Sequence, residues 1–250
     1  KKKKKKKMVK TDILKLSSKM KIMYWSDYAC PFCYIGEKRL VAVLKQMKIR
    51  NQVDLRMKSF ELNPQASQKI ESRTDERFAM KYRLSLDEAR SRIEAISKMG
   101  RDEGLNFKYG STLYTNTFNA HRLTKLVESK GNSENTEKIE NLLFDAYFGK
   151  NLILSDRSTL RNLGKKVGLS ETEVDKMING KAFSEDVIQD EKEAKERGIQ
   201  SVPYFVINNK YEIPGAISKE NLKELIEYAM QDQLKNSGVT TMSCGIDGCH

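Results

Sequence analysis

No cysteine occurs between positions 33 and 244. The four cysteines form two local pairs, Cys30/Cys33 and Cys244/Cys249. This spacing excludes a secreted disulfide scaffold, which spreads its cysteines to staple distant segments. Histidine is scarcer still, with two in the chain. No second Cys-x-x-Cys and no histidine cluster stands near Cys30, so a structural metal centre there lacks the further ligands it needs. No apolar run reaches the roughly 18–20 residues of a membrane helix. The mixed, basic stretch from Val9 to Met20 has neither the compact apolar segment nor the small-residue cleavage site of a secretory leader. Together these absences point to a cytoplasmic chain with no membrane partner.

Charge is abundant but misleading. Of the net charge of +12, seven units come from Lys1–Lys7, directly before Met8. That run, within residues 1–19, reads as a tag or an unstructured extension, and without it the surplus is +5. The remaining charges alternate in sign along helices, as on solvated faces, so no nucleic-acid partner is expected. A hydrophobic share of 38% suffices for a core domain carrying a sizeable insertion.

The α/β signal is strongest near the two ends. Lys21 to Ser26 reads as a short buried strand. Ile35, Leu40, Val43, Leu44 and Met47 recur at helical spacing, which predicts a helix from Pro31 to about Lys48, with Pro31 in the first turn where its missing N–H costs nothing. Val53, Leu55 and Met57 alternate with Asp54, Arg56 and Lys58 as a second strand. From about Pro64 to Gly180 the pattern is helical, with capping boxes at Ser85/Glu88 and Ser170/Glu173. A polar helix from Ser184 to Arg197 follows, then the strands Tyr204–Ile207 and Tyr211–Ile213 around Asn208-Asn209, and a last helix after Ser218. The order β-α-β, helices, α-β-β-α is that of a thioredoxin-like α/β fold interrupted by a large all-helical insertion. Residues 20–63 and 181–235 would form the thioredoxin-like domain, 64–180 the insertion and 236–250 a flexible cysteine-containing tail.

In this arrangement Cys30-Pro31-Phe32-Cys33 sits between strand and helix, at the carboxyl edge of the sheet where ligands bind. A thiolate attacks a disulfide, so one exposed cysteine with a lowered pKa is required. Cys30, at the helix N-cap, faces unpaired N–H groups and the positive end of the dipole. Cys33, one turn in, is placed to resolve the mixed disulfide. Pro203, in Ser201-Val202-Pro203-Tyr204-Phe205, could simply mark a strand start. In a thioredoxin fold it is instead a cis proline opposite the cysteines, leaving the Val202 backbone to pair with a bound peptide.

The segments Ser26-Asp27-Tyr28-Ala29-Cys30-Pro31-Phe32-Cys33-Tyr34-Ile35-Gly36 and Phe60-Glu61-Leu62-Asn63-Pro64 resemble the DsbA-like thioredoxin superfamily and, within it, the FrnE-type proteins. So do Asn116-Thr117-Phe118-Asn119-Ala120-His121-Arg122-Leu123, Ala146-Tyr147-Phe148, Gly198 to Pro203 and Pro214-Gly215-Ala216. The resemblance covers about Met20 to Gln233. It implies dithiol–disulfide exchange on protein or small thiol substrates, as oxidant, reductase or isomerase, by a monomer or homodimer. It implies no cofactor beyond the redox-active disulfide, with glutathione as a candidate co-substrate. Some members also carry a C-terminal cysteine pair, which Cys244-Gly-Ile-Asp-Gly-Cys249 resembles. That pair is open to three readings: an accessory redox site, an inert pair, or a weak metal site with His250.

Pro31, Phe32 and Val202 are candidate substrate contacts. On a helix from Asn116 to Ser129, His121 points away from the stripe Ala120, Leu123, Leu126 and Val127, on the side of Phe118. Both would then be surface residues or face the active-site groove, where His121 would tune Cys30 or bind substrate. Two other functions compete with exchange. One is a glutathione-dependent transferase or isomerase of the kappa-class and 2-hydroxychromene-2-carboxylate type, which typically has Ser where Cys30 stands. The other is a protein-binding module with a non-catalytic thiol pair.

The strongly oxidising DsbA enzymes have His at the Phe32 position. Phe32 gives Cys30 no neighbouring cation, which leaves thiolate stabilisation to the helix terminus. A redox titration of Cys30/Cys33 should therefore find the Phe32→His variant more oxidising than the parent. A potential equal to or more reducing than the parent's would defeat this reading.

Overall fold

Strand β1 (Met20–Ser26) is buried on both faces, with Ile22, Tyr24 and Trp25 all nearly inaccessible, as befits a strand with neighbours on either side. The computed structural model describes residues 19–236. In it β1 pairs in parallel with β2 (Val53–Ser59) and antiparallel with β3 (Tyr204–Ile207), which pairs antiparallel with β4 (Tyr211–Pro214). The sheet order is β2-β1-β3-β4. Helix α1 (Pro31–Met47) crosses between β1 and β2 and ends where Lys48 turns left-handed, at φ 61°. The hairpin turn likewise places Asn208 and Asn209 at positive φ, a conformation asparagine tolerates well.

Between β2 and β3 every regular element among the described residues is helical: α2 (Thr74–Tyr82), α3 (Leu86–Asp102), α4 (Phe118–Glu128), α5 (Ser133–Phe144), α6 (Arg157–Lys165), α7 (Glu171–Asn179) and α8 (Ser184–Glu196). Helix α9 (Lys219–Asn236) follows the hairpin and packs on α1. The predicted caps form as capping boxes at Ser85/Glu88 and Ser170/Glu173. The helix expected from Asn116 begins two residues later, because the Asn116 side chain accepts the Phe118 N–H at 2.9 Å and serves the helix end from outside. The helix expected to stop at Gly149 changes winding first, with a π-turn over Asp145–Gly149. The fold is thus a DsbA-like thioredoxin arrangement. Among the described residues no helix is long and apolar enough to cross a membrane.

Two sets of contacts fix the helices, one joining α1 to the helical region and one joining α8 to the sheet. Tyr34 of α1 stacks on Phe144 at 4.8 Å between ring centres, within a layer that includes Phe107 and Phe148. At the edge strand, the buried Asp190 carboxylate of α8 receives Lys58 at 2.8 Å, the Ser59 N–H at 2.9 Å and Lys125 of α4 at 2.6 Å. Its main-chain carbonyl also accepts the Trp25 indole N–H at 2.8 Å. Removing the carboxylate leaves a buried N–H unpaired and takes from Lys58 and Lys125 the nearer of their two acidic partners. Asp190→Ala should therefore lose about 3 kcal/mol of stability in urea unfolding, and Asp190→Asn less, because the amide oxygen still serves Ser59. Equal, small losses in both would show that the carboxylate holds nothing together.

Candidate active site

The chain leaves β1 through Ser26 and turns at Asp27-Tyr28-Ala29, where the Cys30 N–H bonds the Asp27 carbonyl at 3.0 Å. Cys30 takes the N-cap position of α1 in extended geometry, with Pro31 opening the helix. Cys30 and Cys33 are free thiols. The Cys33 thiol is pushed well up, first by burial and then by the adjacent Cys30 sulfur.

The exposed nucleophile expected at Cys30 needs correction. Cys30 is 4% exposed and Cys33 1%. The Val202 carbonyl stands over the first sulfur and accepts its S–H at 3.5 Å. Phe32, at 37%, is the exposed member of the motif. Val202–Pro203 is cis, as expected. A side chain at Gly36 would meet Pro203 at 3.1 Å and Phe205 at 3.2 Å, so a glycine there lets α1 lie against this turn. Pro31 and Val202 line the same place, both buried.

His121 is neither a surface residue nor open to the groove. It is fully buried, tilted against the Tyr28 ring at 4.9 Å, with Nε2 3.6 Å from Asp27 Oδ1. Phe118 is half-buried and carries the Arg122 guanidinium over its ring. The helical wheel failed for His121 because the loop after β1 covers the face that the helix alone leaves free. Cys244 and Cys249 lie outside the described residues. A surface cleft of about 550 Å³ opens elsewhere, between Ile70–Glu76 and Gly110–Leu113, and its lining includes no motif residue.

Sequence reasoning missed two groups of buried acids flanking the motif. Behind the loop, Asp27 accepts the Ala29 N–H at 3.2 Å and the Leu62 N–H at 2.8 Å. Glu61, bonded by Asn116 at 3.1 Å, is raised to about 7, mainly by burial. Glu191 is also raised by burial and accepts the Glu61 N–H at 2.9 Å. On α1, burial and the nearby Glu140 push the Glu37 carboxyl well up. Glu140 itself is raised to about 8 by burial and accepts the Tyr24 hydroxyl at 3.2 Å. The available signal was Glu61-Leu62 directly after the second strand, on the same edge of the sheet as the cysteines.

These acids bear on stability. The native state holds the Glu140 proton up to about pH 8, whereas the unfolded chain releases it near the ordinary glutamate value. The native state therefore binds more protons in that window, and its stability falls as pH rises through it. Glu140→Gln should flatten the decline in melting temperature between mildly acid and mildly alkaline buffer, with variant gaining on parent as pH rises. Parallel curves would refute this.

The profile of the DsbA-like thioredoxin domain matches residues 21–227. YwbO, an uncharacterized Bacillus subtilis protein, is 27% identical over 217 residues, covering 86% of this chain and 97% of its own. The crystal structure of a "probable DsbA oxidoreductase" from Streptomyces coelicolor shares 27% identity at a TM-score of 0.81, over 92% of this chain and 98% of that one. A 2-hydroxychromene-2-carboxylate isomerase shares the fold at a TM-score of 0.64 and 14% identity, over 88% of this chain and all of that one. With most of its length matched, the chain belongs to the DsbA-like thioredoxin domain family.

Proposed function

We propose that the protein is a thiol–disulfide oxidoreductase or isomerase of the FrnE type, acting at Cys30 and Cys33 on protein or small-thiol disulfides in the cytoplasm. The observation that carries this is the pairing of two unequal thiols at one helix start. Cys30 sits at the N-cap beneath the Val202 carbonyl, and Cys33 sits deeper with its thiol pushed up.

In reduction, the Cys30 thiolate attacks one sulfur of the substrate disulfide. That S–S bond breaks, the other substrate sulfur leaves as a thiolate, and a mixed disulfide joins Cys30 to the substrate. Cys33 then gives up its proton and attacks the Cys30 sulfur, releasing the second substrate thiol. The substrate has gained two electrons and the enzyme pair is a disulfide. Oxidation reverses these steps, and isomerisation stops at the mixed disulfide and returns it to a different substrate sulfur. The Val202 carbonyl, which accepts the Cys30 S–H in the resting state, is a main-chain group for an extended peptide to use once that sulfur is engaged. Phe32, exposed beside it, offers an apolar contact. Glutathione is the natural small co-substrate for returning the pair to its starting state.

A glutathione-dependent isomerase needs the protein to activate the thiol of glutathione. Two cysteines at the motif argue against that reading, and the likeness to the chromene-carboxylate enzyme is one of fold. Insulin reduction separates the readings. Cys30→Ser should abolish turnover, and Cys33→Ser should accumulate a Cys30-linked mixed disulfide visible by mass spectrometry. Turnover surviving in Cys30→Ser would end the proposal.

A further inference from the structure

His121 occupies an unusual position for a fully buried imidazole, because neither ring nitrogen has a hydrogen-bond partner. Its neighbours are acidic. The loop after β1 contributes Asp27 and Tyr28, the segment after β2 contributes Glu61, and α8 contributes Glu191. The cations nearby are committed elsewhere. On α4, Lys125 pairs with Asp190 and Glu128, and Arg122 donates to the carbonyls of Met177, Gly180 and Ala182. Beyond Asp27 lie Tyr114 and Tyr147, with Arg77 stacked on the Tyr114 ring at 4.2 Å. Two buried carboxyl groups, Asp27 and Glu61, and the half-buried Glu191 thus surround one buried imidazole. Several buried negative charges without counter-ions are costly, and such groups neutralise by holding a proton.

The cluster touches the redox motif directly. Asp27 fastens the Ala29 N–H through its carboxylate and the Cys30 N–H through its carbonyl. Its own backbone hydrogen-bonds the Cys33 sulfur. We propose that His121 is a positioning residue for exchange at Cys30/Cys33. Together with Asp27, Glu61 and Glu191 it holds one exchangeable proton behind the motif, and that proton favours the Cys30 thiolate. When the proton leaves, the region carries one more negative charge, and forming a thiolate beside it costs more. The inference rests on the exchange reading above and adds a group that sets its pH range. Within the cluster, burial raises the Glu61 carboxyl to about 7, with His121 opposing.

The test reads Cys30 without any substrate disulfide. Reduced full-length protein is alkylated with iodoacetamide across a pH series, and peptide-resolved mass spectrometry separates Cys30 from Cys33, Cys244 and Cys249. His121→Asn removes the imidazole from the proton-holding cluster and should raise the apparent Cys30 pKa. Glu61→Gln removes a carboxylate and should lower it. Each shift should reach about half a unit, a threefold change in thiolate fraction below the pKa. A purely structural His121 would loosen the loop and move both variants in the same direction. Shifts of one sign, or no shift in either, overturn the proposal. Where His121→Asn does not fold, Glu61→Gln and Glu191→Gln carry the test: both lower the apparent pKa, and absence of a shift in both is fatal. Opposite shifts in a protein that fails to reduce insulin would sink the exchange reading and leave the coupling standing.

Discussion

The structure depends on the burial of the Asp190 carboxylate between two lysines at the edge of the sheet. A carboxylate out of water stays ionised only where donors replace its hydration, and here they come from β2, α4 and the Ser59 backbone at once. That contact fixes α8 against the end of β2, which decides where the chain goes next. The adjacent residue of α8, Glu191, then meets the Glu61 N–H. One residue further, the Leu62 N–H meets Asp27, and Asp27 holds the Ala29 N–H. Three short contacts run from a helix–sheet clamp to the loop that presents Cys30. The clamp is an ion-pair network rather than an isolated surface pair, so its geometry is restricted by several partners together.

A second constraint acts from the other side of the motif. The ring layer of Tyr34, Phe144, Phe107 and Phe148 sets the position of α1 against the helical region, while Gly36 permits close approach to Pro203 and Phe205. The sulfurs are therefore held in a packed wedge. The Val202 carbonyl lies against the Cys30 sulfur, and Phe32 is the exposed residue beside it.

Local features were legible in the sequence because they are decided by local physics. Strand alternation at Val53–Met57, the Ser85 and Ser170 caps, the hairpin at Asn208-Asn209 and the Cys30-to-Cys33 spacing each depend on a few neighbouring residues. The DsbA-like fold followed from their order. The buried state of Cys30 did not follow, because the atom covering it belongs to Val202, far along the chain. His121 was misplaced for the same reason: a helical wheel describes one helix, and the face it leaves open is filled by Asp27 and Tyr28. Asp27, Glu61 and Asn116 stood in quoted motifs, yet their roles emerge only where a loop, a strand end and a helix start meet.

Two acid groups lie on either side of the redox helix, and both are held by burial rather than by ion pairs. They work against the helix terminus: the N-terminal N–H groups of α1 favour a negative sulfur, and each ionised carboxyl nearby disfavours one. The thiol pair therefore feels a difference between two opposing fields. One of them, the backbone, is fixed by the fold, and the other varies with protons bound near neutral pH. A fold that needed only stability would replace such acids with apolar residues of similar volume. Keeping them beside the cysteines, at the cost of stability as pH rises, makes sense where the state of the sulfurs is meant to respond to proton supply.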